Sequence, residues 1–342
     1  MENTPHRYRA IVIGAGKIGA LLEADPLRPK PSTHAGAYFS NPKFELVGLV
    51  DINKEYLQKA SSLFPNVSLY SDVLECIEKE KPDIVSIATT SDTHLELLKL
   101  CVEKKIRCVI CEKPLSDSLD QLQSLIDLER TDTIIILNHQ RRFFPLFKKI
   151  KDKIASGQLG DIQQVTAYYS NGLLNNGTHT VDALRYLLDD EVVSVVGIEN
   201  KNNLTCPKGD QNIDGLLVFK KGVVASLQSF DNQDYGIHEF RIYGKKGAVF
   251  IRNYGYTFDW LPVESSRNFA GLQELRDDHI VTETQAGGMI GGAIIHALEC
   301  LNGGSEQVST LRDGIKDLEI LCALKESAQN GSKNTHIQSL IK

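Results

Sequence analysis

No apolar run in these 342 residues approaches the ~20 needed to span a bilayer. An excess of positive charge is also missing. Lys and Arg number 38 against 44 Asp and Glu, a formal net charge of −6, and no basic stripe offsets it, which argues against nucleic acid as a partner. The seven cysteines are odd in number and follow no framework, the usage expected of free thiols in a reducing cytoplasm. Cys108 and Cys111 make one C-x-x-C, but no second pair completes a zinc site. They lie on or just beyond an apolar strand, Ile106 to Ile110, where i and i+3 face opposite ways, so strand packing is expected and no metal site. A secretory leader is not expected either. Arg7 and Arg9 precede an apolar run, yet three glycines interrupt it and no A-x-A site follows. Internal repeats and low-complexity segments are lacking too. What remains is 42% apolar and 24% charged, an ordinary globular composition long enough for two domains.

What the chain does have is a glycine turn at its start. Ala10 to Ile13 is short, apolar and rich in β-branched residues, as a buried parallel strand is. Gly14, Gly16 and Gly19 follow as G-x-G-x-x-G, and Ile18, Leu21 and Leu22 then fall at helical spacing. A strand before and a helix after are the context in which this weak motif binds a dinucleotide. Gly14 permits the sharp exit from the strand, Gly16 lets a pyrophosphate approach the backbone, and Gly19 lets helix pack on strand. Ala15, Lys17 and Ile18 complete the candidate coenzyme turn, with the phosphates on free N–H groups at the helix start.

The next strand, Phe44 to Val50, ends in Asp51. An acid at that point accepts hydrogen bonds from ribose hydroxyls, and it usually lies about 20 residues past the glycines. Asp51 is 32 residues past Gly19. The stretch between carries Pro26, Pro29 and Pro31, which forbid a regular helix, and reads as an insertion of roughly ten residues after the first helix. It is either a surface loop or a flap over the cleft with Arg28, Lys30 or His34 reaching in. No arginine follows Asp51, only Ile52, Asn53 and Lys54, so NAD is expected over NADP.

Alternating units follow: a helix over Tyr56 to Phe64, a strand over Val67 to Leu69, a helix over Val73 to Lys79 and a strand over Asp83 to Ala88. Then come a helix over Thr93 to Glu103, a strand over Ile106 to Ile110, a helix over Ser118 to Leu128 and a strand over Thr133 to Leu137. This rhythm predicts a doubly wound parallel sheet, whose ligands sit outside the C-terminal strand ends. Three polar clusters lie at such ends: Thr89 to His94, Cys111 to Pro114, and Asn138 to Arg142.

Taken together, GAGKIG, the T-x-x-x-H of Thr90 and His94, Glu112-Lys113-Pro114 and the later NGTHTVDALRYL resemble the Gfo/Idh/MocA oxidoreductase family, over nearly the whole chain. That resemblance implies an α/β Rossmann domain, residues 1–140, with a doubly wound parallel sheet. It implies an α+β C-terminal domain, residues 141–342, with a large open, mainly antiparallel sheet through which a homodimer or homotetramer forms. It also implies a nicotinamide coenzyme and a carbohydrate-like substrate with a secondary alcohol or ketone. Lys113 matches the active-site lysine. A cation within reach of the carbinol oxygen stabilises the charge that builds there and helps the proton move. Thr89, Thr90, His94, Glu112 and Lys113 line the expected nicotinamide end, with Asp51 and Ile52 at the adenosine end. Of Arg141 and Arg142, one is expected at ligand, with Arg142 placed at the substrate, and the other on a carboxylate within the fold.

Phe144 to Ala155 reads as a helix and Ile162 to Tyr169 as a strand. Gly177 then opens a helix on which His179 and Asp182 are i, i+3 neighbours. The family's sugar dehydrogenases carry D-x-x-x-H-x-x-D here, with the histidine as general acid/base. Asn175 replaces the first Asp and cannot titrate, leaving proton transfer to His179 and Lys113. Asn175, Asn176, Arg142 and Asp182 are the expected substrate contacts. Strands are expected over Glu191 to Ile198, Gly215 to Phe219, Val223 to Phe230, His238 to Tyr243 and Ala248 to Ile251. Trp260 to Gln285 reads as loops, and Gly291 to Leu301 and Leu311 to Ser327 as helices. The expectation is a cytoplasmic NAD-dependent dehydrogenase with no nucleic-acid or membrane partner. The rivals are a hydrolase or epimerase using bound NAD transiently, and a non-catalytic NAD-binding sensor.

Overall fold

The computed structural model describes residues 7–202 and 205–338; the outermost residues of both expected domains, 1–6 and 339–342, lie outside it. The chain divides into two compact units. In the first, six strands form one parallel sheet: β1 (Tyr8–Ile13), β2 (Phe44–Val50), β3 (Ser68–Tyr70), β4 (Ile84–Ile87), β5 (Cys108–Cys111) and β6 (Ile134–Leu137). Their order is β3-β2-β1-β4-β5-β6. The helices between them are α1 (His34–Ser40), α2 (Lys54–Leu63), α3 (Val73–Glu80), α4 (His94–Glu103) and α5 (Leu122–Leu128). Ile11, Val12, Ile84, Val85, Val109 and Ile110 are fully buried, as strands covered on both faces must be. The order reverses between β1 and β4, the switch point outside which such sheets bind ligands. Cys108 and Cys111 are buried side chains of β5 and are not bonded to each other.

The second unit begins at Phe144. It contains α6 (Pro145–Ala155), β7 (Ile162–Ser170) and α7 (Thr178–Leu188). Strands β8 (Val192–Glu199), β9 (Ile213–Phe219), β10 (Val224–Phe230), β11 (His238–Gly244), β12 (Gly247–Arg252), β13 (Thr257–Ser265), β14 (Gln273–Leu275) and β15 (Val281–Thr284) follow. The sheet runs β14-β13-β12-β11-β7-β10-β9-β8, with β15 on β13 and a short last strand, β16 (Thr335–His336), beyond β8. The pairs are antiparallel except β7 with β10. Alternation sorts the two faces. Val165, Ala167, Tyr169, Phe240 and Ile242 point inward and are buried, whereas Thr166, Tyr168, Arg241 and Leu216 face the open side. Phe147 of α6 meets the inner face edge-on at Phe240 and Phe258.

Two expectations need correcting. The segment from Trp260 to Gln285 is not loop: β13, β14 and β15 occupy much of it. And residues 287–315, expected with the second domain, pack into the first unit. There α8 (Ile290–Leu301) buries Ile290, Ile294 and Ala297 in the same core as Tyr38 and Phe44. The division between units falls within α9 (Leu311–Gln329). Among the described residues, no helix is long and apolar enough to cross a membrane.

Candidate coenzyme and active site

The glycine turn is built as its sequence requires. Gly14 has φ of +94°, and a Cβ there would come within 2.6 Å of the Ala88 carbonyl oxygen. A Cβ on Gly19 would lie 1.8 Å from the Gly14 oxygen, so this contact admits only glycine. Gly16 differs: the nearest atom to a Cβ is on the Tyr56 ring, at 3.8 Å. Nothing within the chain demands glycine there, and the room is what a pyrophosphate needs for close approach. The N–H groups of Gly16, Lys17 and Ile18 have no protein acceptor among the described residues, leaving three donors beside that room. Asp51 accepts from Ala15 N–H through Oδ2 and from Asn53 N–H through Oδ1, each at 2.8 Å. Both oxygens keep a lone pair for ribose hydroxyls. Ile52 beside it is 92% exposed, an apolar surface for a base. These features fit a dinucleotide.

The helix after the turn is interrupted, which corrects the expected order of helix and then insertion. A single 3-10 turn, Leu21–Ala24, follows the glycines, and the regular helix resumes at α1. His34 N–H donates to Ile18 O at 3.1 Å and Ala35 N–H to Gly19 O at 2.9 Å. In a regular α-helix those carbonyls would take the N–H groups of residues 22 and 23. Twelve residues, 22–33, are therefore looped out of one helix, and without them Asp51 would stand the usual 20 residues past Gly19. The loop is tied to itself and, through Gly288 N–H donating to Lys30 O at 3.0 Å, to the segment before α8. The Lys30 ammonium sits on the carbonyls of Glu23 and Asp25, and Glu23 accepts from Ser32 N–H and Thr33 Oγ1. Arg28 lies 3.5 Å from Asp25. His34 is not on a flap: it is fully buried at the start of α1.

At the strand ends, His94 bridges two loops, with Nδ1 3.0 Å from Pro114 O and Nε2 3.3 Å from Thr89 O. Burial lowers its pKa against the pull of the Thr89 carbonyl, the Glu112 charge and the Pro114 carbonyl. A neutral ring donates from one nitrogen only, so the shorter bond, to Pro114, takes the proton. His94 thus clamps the end of β4 to the Glu112-Lys113-Pro114 turn. Arg142 donates from Nη1 to Val308 O at 3.0 Å and pairs with Asp313 at 3.0 Å. Arg142 therefore holds a carboxylate within the fold.

Glu112, next to Lys113, is buried and heavily bonded. His34 Nε2 lies 2.9 Å and Asn138 Nδ2 2.6 Å from its Oε1. Burial pushes its pKa up. The hydrogen bond from His34, the Lys113 charge and the Asn138 amide outweigh that and hold it at about 2. Behind His34, Nδ1 lies 3.0 Å from Ser86 Oγ, which lies 2.9 Å from the Tyr38 hydroxyl. The sequence offers no sign of a role beside Lys113 for Tyr38, Ser86, His34 and Asn138, because they come from α1, β4 and the end of β6, which share no local spacing with Lys113.

In the second unit, helical backbone begins earlier than the expected Gly177, although α7 itself starts at Thr178. A π-turn over Leu173–Gly177 precedes it, with Gly177 N–H reaching Gly172 O at 3.0 Å. Such π-turns occur often at functional sites. Asp210 caps the turn, accepting from Leu174 N–H at 3.0 Å and Asn175 N–H at 2.9 Å. Asn175 Nδ2 donates back to Asn171 O at 3.1 Å. Thr178 through Leu188 are all buried, His179 and Asp182 among them. Behind them Arg185 pairs with Asp317 at 2.8 Å, both almost wholly buried, and with Glu191 at 2.9 Å. Asp210 went unnoticed in the sequence; its position after Pro207-Lys208-Gly209, a turn signal, was the available hint.

Fold and coenzyme turn together define an NAD-binding oxidoreductase. Residues 8–139 match the NAD-binding Rossmann-fold domain of the Gfo/Idh/MocA oxidoreductases, and residues 172–335 match their C-terminal alpha/beta domain. The chain is 26% identical over 261 residues to myo-inositol 2-dehydrogenase of Thermotoga maritima, covering 71% of this chain and 74% of that one. It is 31% identical over 176 residues to inositol 2-dehydrogenase of Mycolicibacterium gilvum, covering 46% and 50%. A solved myo-inositol 2-dehydrogenase from Lactobacillus plantarum shares the fold with TM-score 0.75 at 19% identity, covering 97% of this chain and 100% of that one. The chain belongs to the Gfo/Idh/MocA oxidoreductase family and is a dehydrogenase of the kind acting on CH–OH groups.

Proposed function

We propose that the protein transfers a hydride between NAD and a secondary alcohol, or the matching ketone, on a cyclitol, sugar or sugar nucleotide. The observation carrying this is Lys113 at the C-terminal end of β5, beside a buried carboxylate and in the same unit as a turn fitted to a dinucleotide. NAD supplies the hydride acceptor or donor. Lys113 stabilises charge on the carbinol oxygen and His179 moves the proton. Asn175, Asn176 and Asp182 position the ring hydroxyls, with the amide of Asn175 offering both donor and acceptor. Arg142 serves by holding the 308–313 segment rather than by touching substrate. Asp51 selects NAD, since its carboxylate repels a 2′-phosphate. Inositol-type cyclitols head the candidate list, after the names of the sequence relatives. The open face of the second sheet, with Leu216 exposed and Arg241 over the rings of Tyr168 and Phe250, is the surface for a homodimer or homotetramer.

The test is a panel of cyclitols, sugars and sugar nucleotides with NAD or NADP, followed by absorbance of the reduced coenzyme. Lys113→Ala is expected to lower kcat by about 10²–10⁴-fold, with the Kd for NAD within about threefold. His179→Ala falls in the same range. Turnover surviving Lys113→Ala overturns the reading. Product formed with NAD retained and no net NADH marks the hydrolase or epimerase alternative.

A further inference from the structure

We propose that His34 is a positioning residue for the active-site lysine, acting through Glu112 and oriented in turn by Ser86 and Tyr38. The inference rests on the reading of Lys113 above.

The five side chains of Tyr38, Ser86, His34, Glu112 and Asn138 are all buried and come from α1, β4 and the ends of β5 and β6. Their hydrogens can be counted. Asn138 donates its amide to Glu112 Oε1, and a carboxylate there can only accept. His34 Nε2 must then carry the proton of its 2.9 Å bond to Glu112. Among the described residues the single hydrogen of Tyr38 has one acceptor within reach, Ser86 Oγ. The single hydrogen of Ser86 then goes to His34 Nδ1, which accepts it. Every donor meets an acceptor, in one direction: Tyr38 to Ser86 to His34 to Glu112. The reverse order would leave the Tyr38 hydrogen without an acceptor among the described residues. Burial holds the Tyr38 hydroxyl far above its ordinary pKa, so it remains a donor.

This chain costs core space that apolar residues fill at the neighbouring positions, Val85, Val109 and Ile110. Buried polar groups are tolerated when hydrogen-bonded, and then they fix one arrangement; Asn138 Oδ1 has no partner among the described residues, but the line from Tyr38 to Glu112 is bonded throughout. What this one fixes is Glu112. Its backbone N–H is already tied to Ile87 O at 2.9 Å, and its side chain is now tied as well. The next residue is Lys113, whose ammonium has to meet a reacting oxygen within a few tenths of an ångström. His34 can do this because the helix resumes at His34 after the looped-out residues, and its first turn carries the imidazole into the core.

The experiment compares His34→Leu, His34→Gln, Tyr38→Phe and Lys113→Ala in the full chain with NAD and the best substrate of the panel. Glutamine can offer a carbonyl oxygen to Ser86 and an N–H to Glu112; leucine can do neither. His34→Leu is expected to lower kcat about 10–100-fold, with substrate KM and the Kd for NAD each within about threefold. His34→Gln is expected to recover most of kcat, and Tyr38→Phe to cost about fivefold. A folded His34→Leu with unchanged kcat overturns the inference. So does a His34→Gln no better than His34→Leu, or a loss that appears in KM and NAD affinity instead. Should His34→Leu fail to fold, an unchanged kcat in Tyr38→Phe or a His34→Gln with kcat below a tenth of wild type overturns it. Should Lys113→Ala keep its turnover, the underlying reading falls and the inference with it. Loss in Lys113→Ala alone removes only the role of His34.

Discussion

Glu112 and Asn175 hold comparable places in their units, each a polar residue beside a proposed catalytic side chain, yet they are held by unlike means. Glu112 is reached by side chains from residues 34 and 138, with 86 and 38 behind. Asn175 is held by its own neighbourhood, through a π-turn, a bond to Asn171 and one capping carboxylate, Asp210. The first arrangement needs a finished sheet before it exists; the second needs one turn and one loop. The difference teaches which site should be rigid and which adjustable. A cation proposed to meet every substrate at the same atom gains from a network fixed on four elements. A turn proposed to read the substrate gains from a support that changes locally.

The largest expected effect tests how the second site is backed. Asp317→Ala removes a buried partner of Arg185 and should cost about 3–5 kcal/mol, read from the urea midpoint. A cost under 1 kcal/mol would show that this pair does not brace α7. Next, the coenzyme turn separates packing from binding. Gly19→Ala forces a Cβ against the Gly14 oxygen and should lower both Tm and NAD affinity. Gly16→Ala has space within the chain and should leave Tm within about 2 °C while weakening NAD at least tenfold, by calorimetric titration. Equal Tm losses would remove the distinction.

The acid limb reads the first network directly. An unfolded glutamate takes its proton near 4.3, whereas folded Glu112 holds out to about 2. Its contribution is present above pH 4.3 and fades as pH falls towards 2, amounting to at most about 3 kcal/mol. Wild type should therefore lose more stability than Glu112→Gln between pH 5 and 3; parallel curves would refute the network as drawn. Smaller still, Asp210→Ala should cost about 1–2 kcal/mol and raise substrate KM without moving the Kd for NAD. The mildest change is deletion of residues 22–33, which should leave NAD affinity within about threefold, because the helix ladder already bypasses them.

Much of the first unit was readable because its signals are local. The glycines, the acid ending β2 and the alternation of buried strands with amphipathic helices each declare themselves within a few residues. The family likeness of Glu112-Lys113-Pro114 and of the His179 stretch placed the candidate site residues for the same reason. His34 could not be read this way, since its partners lie 52 and 78 positions along the chain, and the prolines before it suggested a loop end instead of a helix start. The segment from Thr257 to Thr284 failed for another reason. Pro262 sits inside β13, and the short strands β14 and β15 are largely exposed, so no apolar alternation marks them. The return of α8 to the first core depends on contacts between residues as distant as Tyr8 and Asn302, which periodicity does not encode.

The bypassed stretch between Leu21 and His34 also offers a practical handle. Chain length can change there without altering the frame of anything downstream, and Leu27 at its surface is 92% exposed. A fluorescent peptide, an affinity tag or even a small guest domain could be grafted at that position, a short distance along the chain from the coenzyme turn, turning a structural detour into an attachment point for sensors of NAD occupancy.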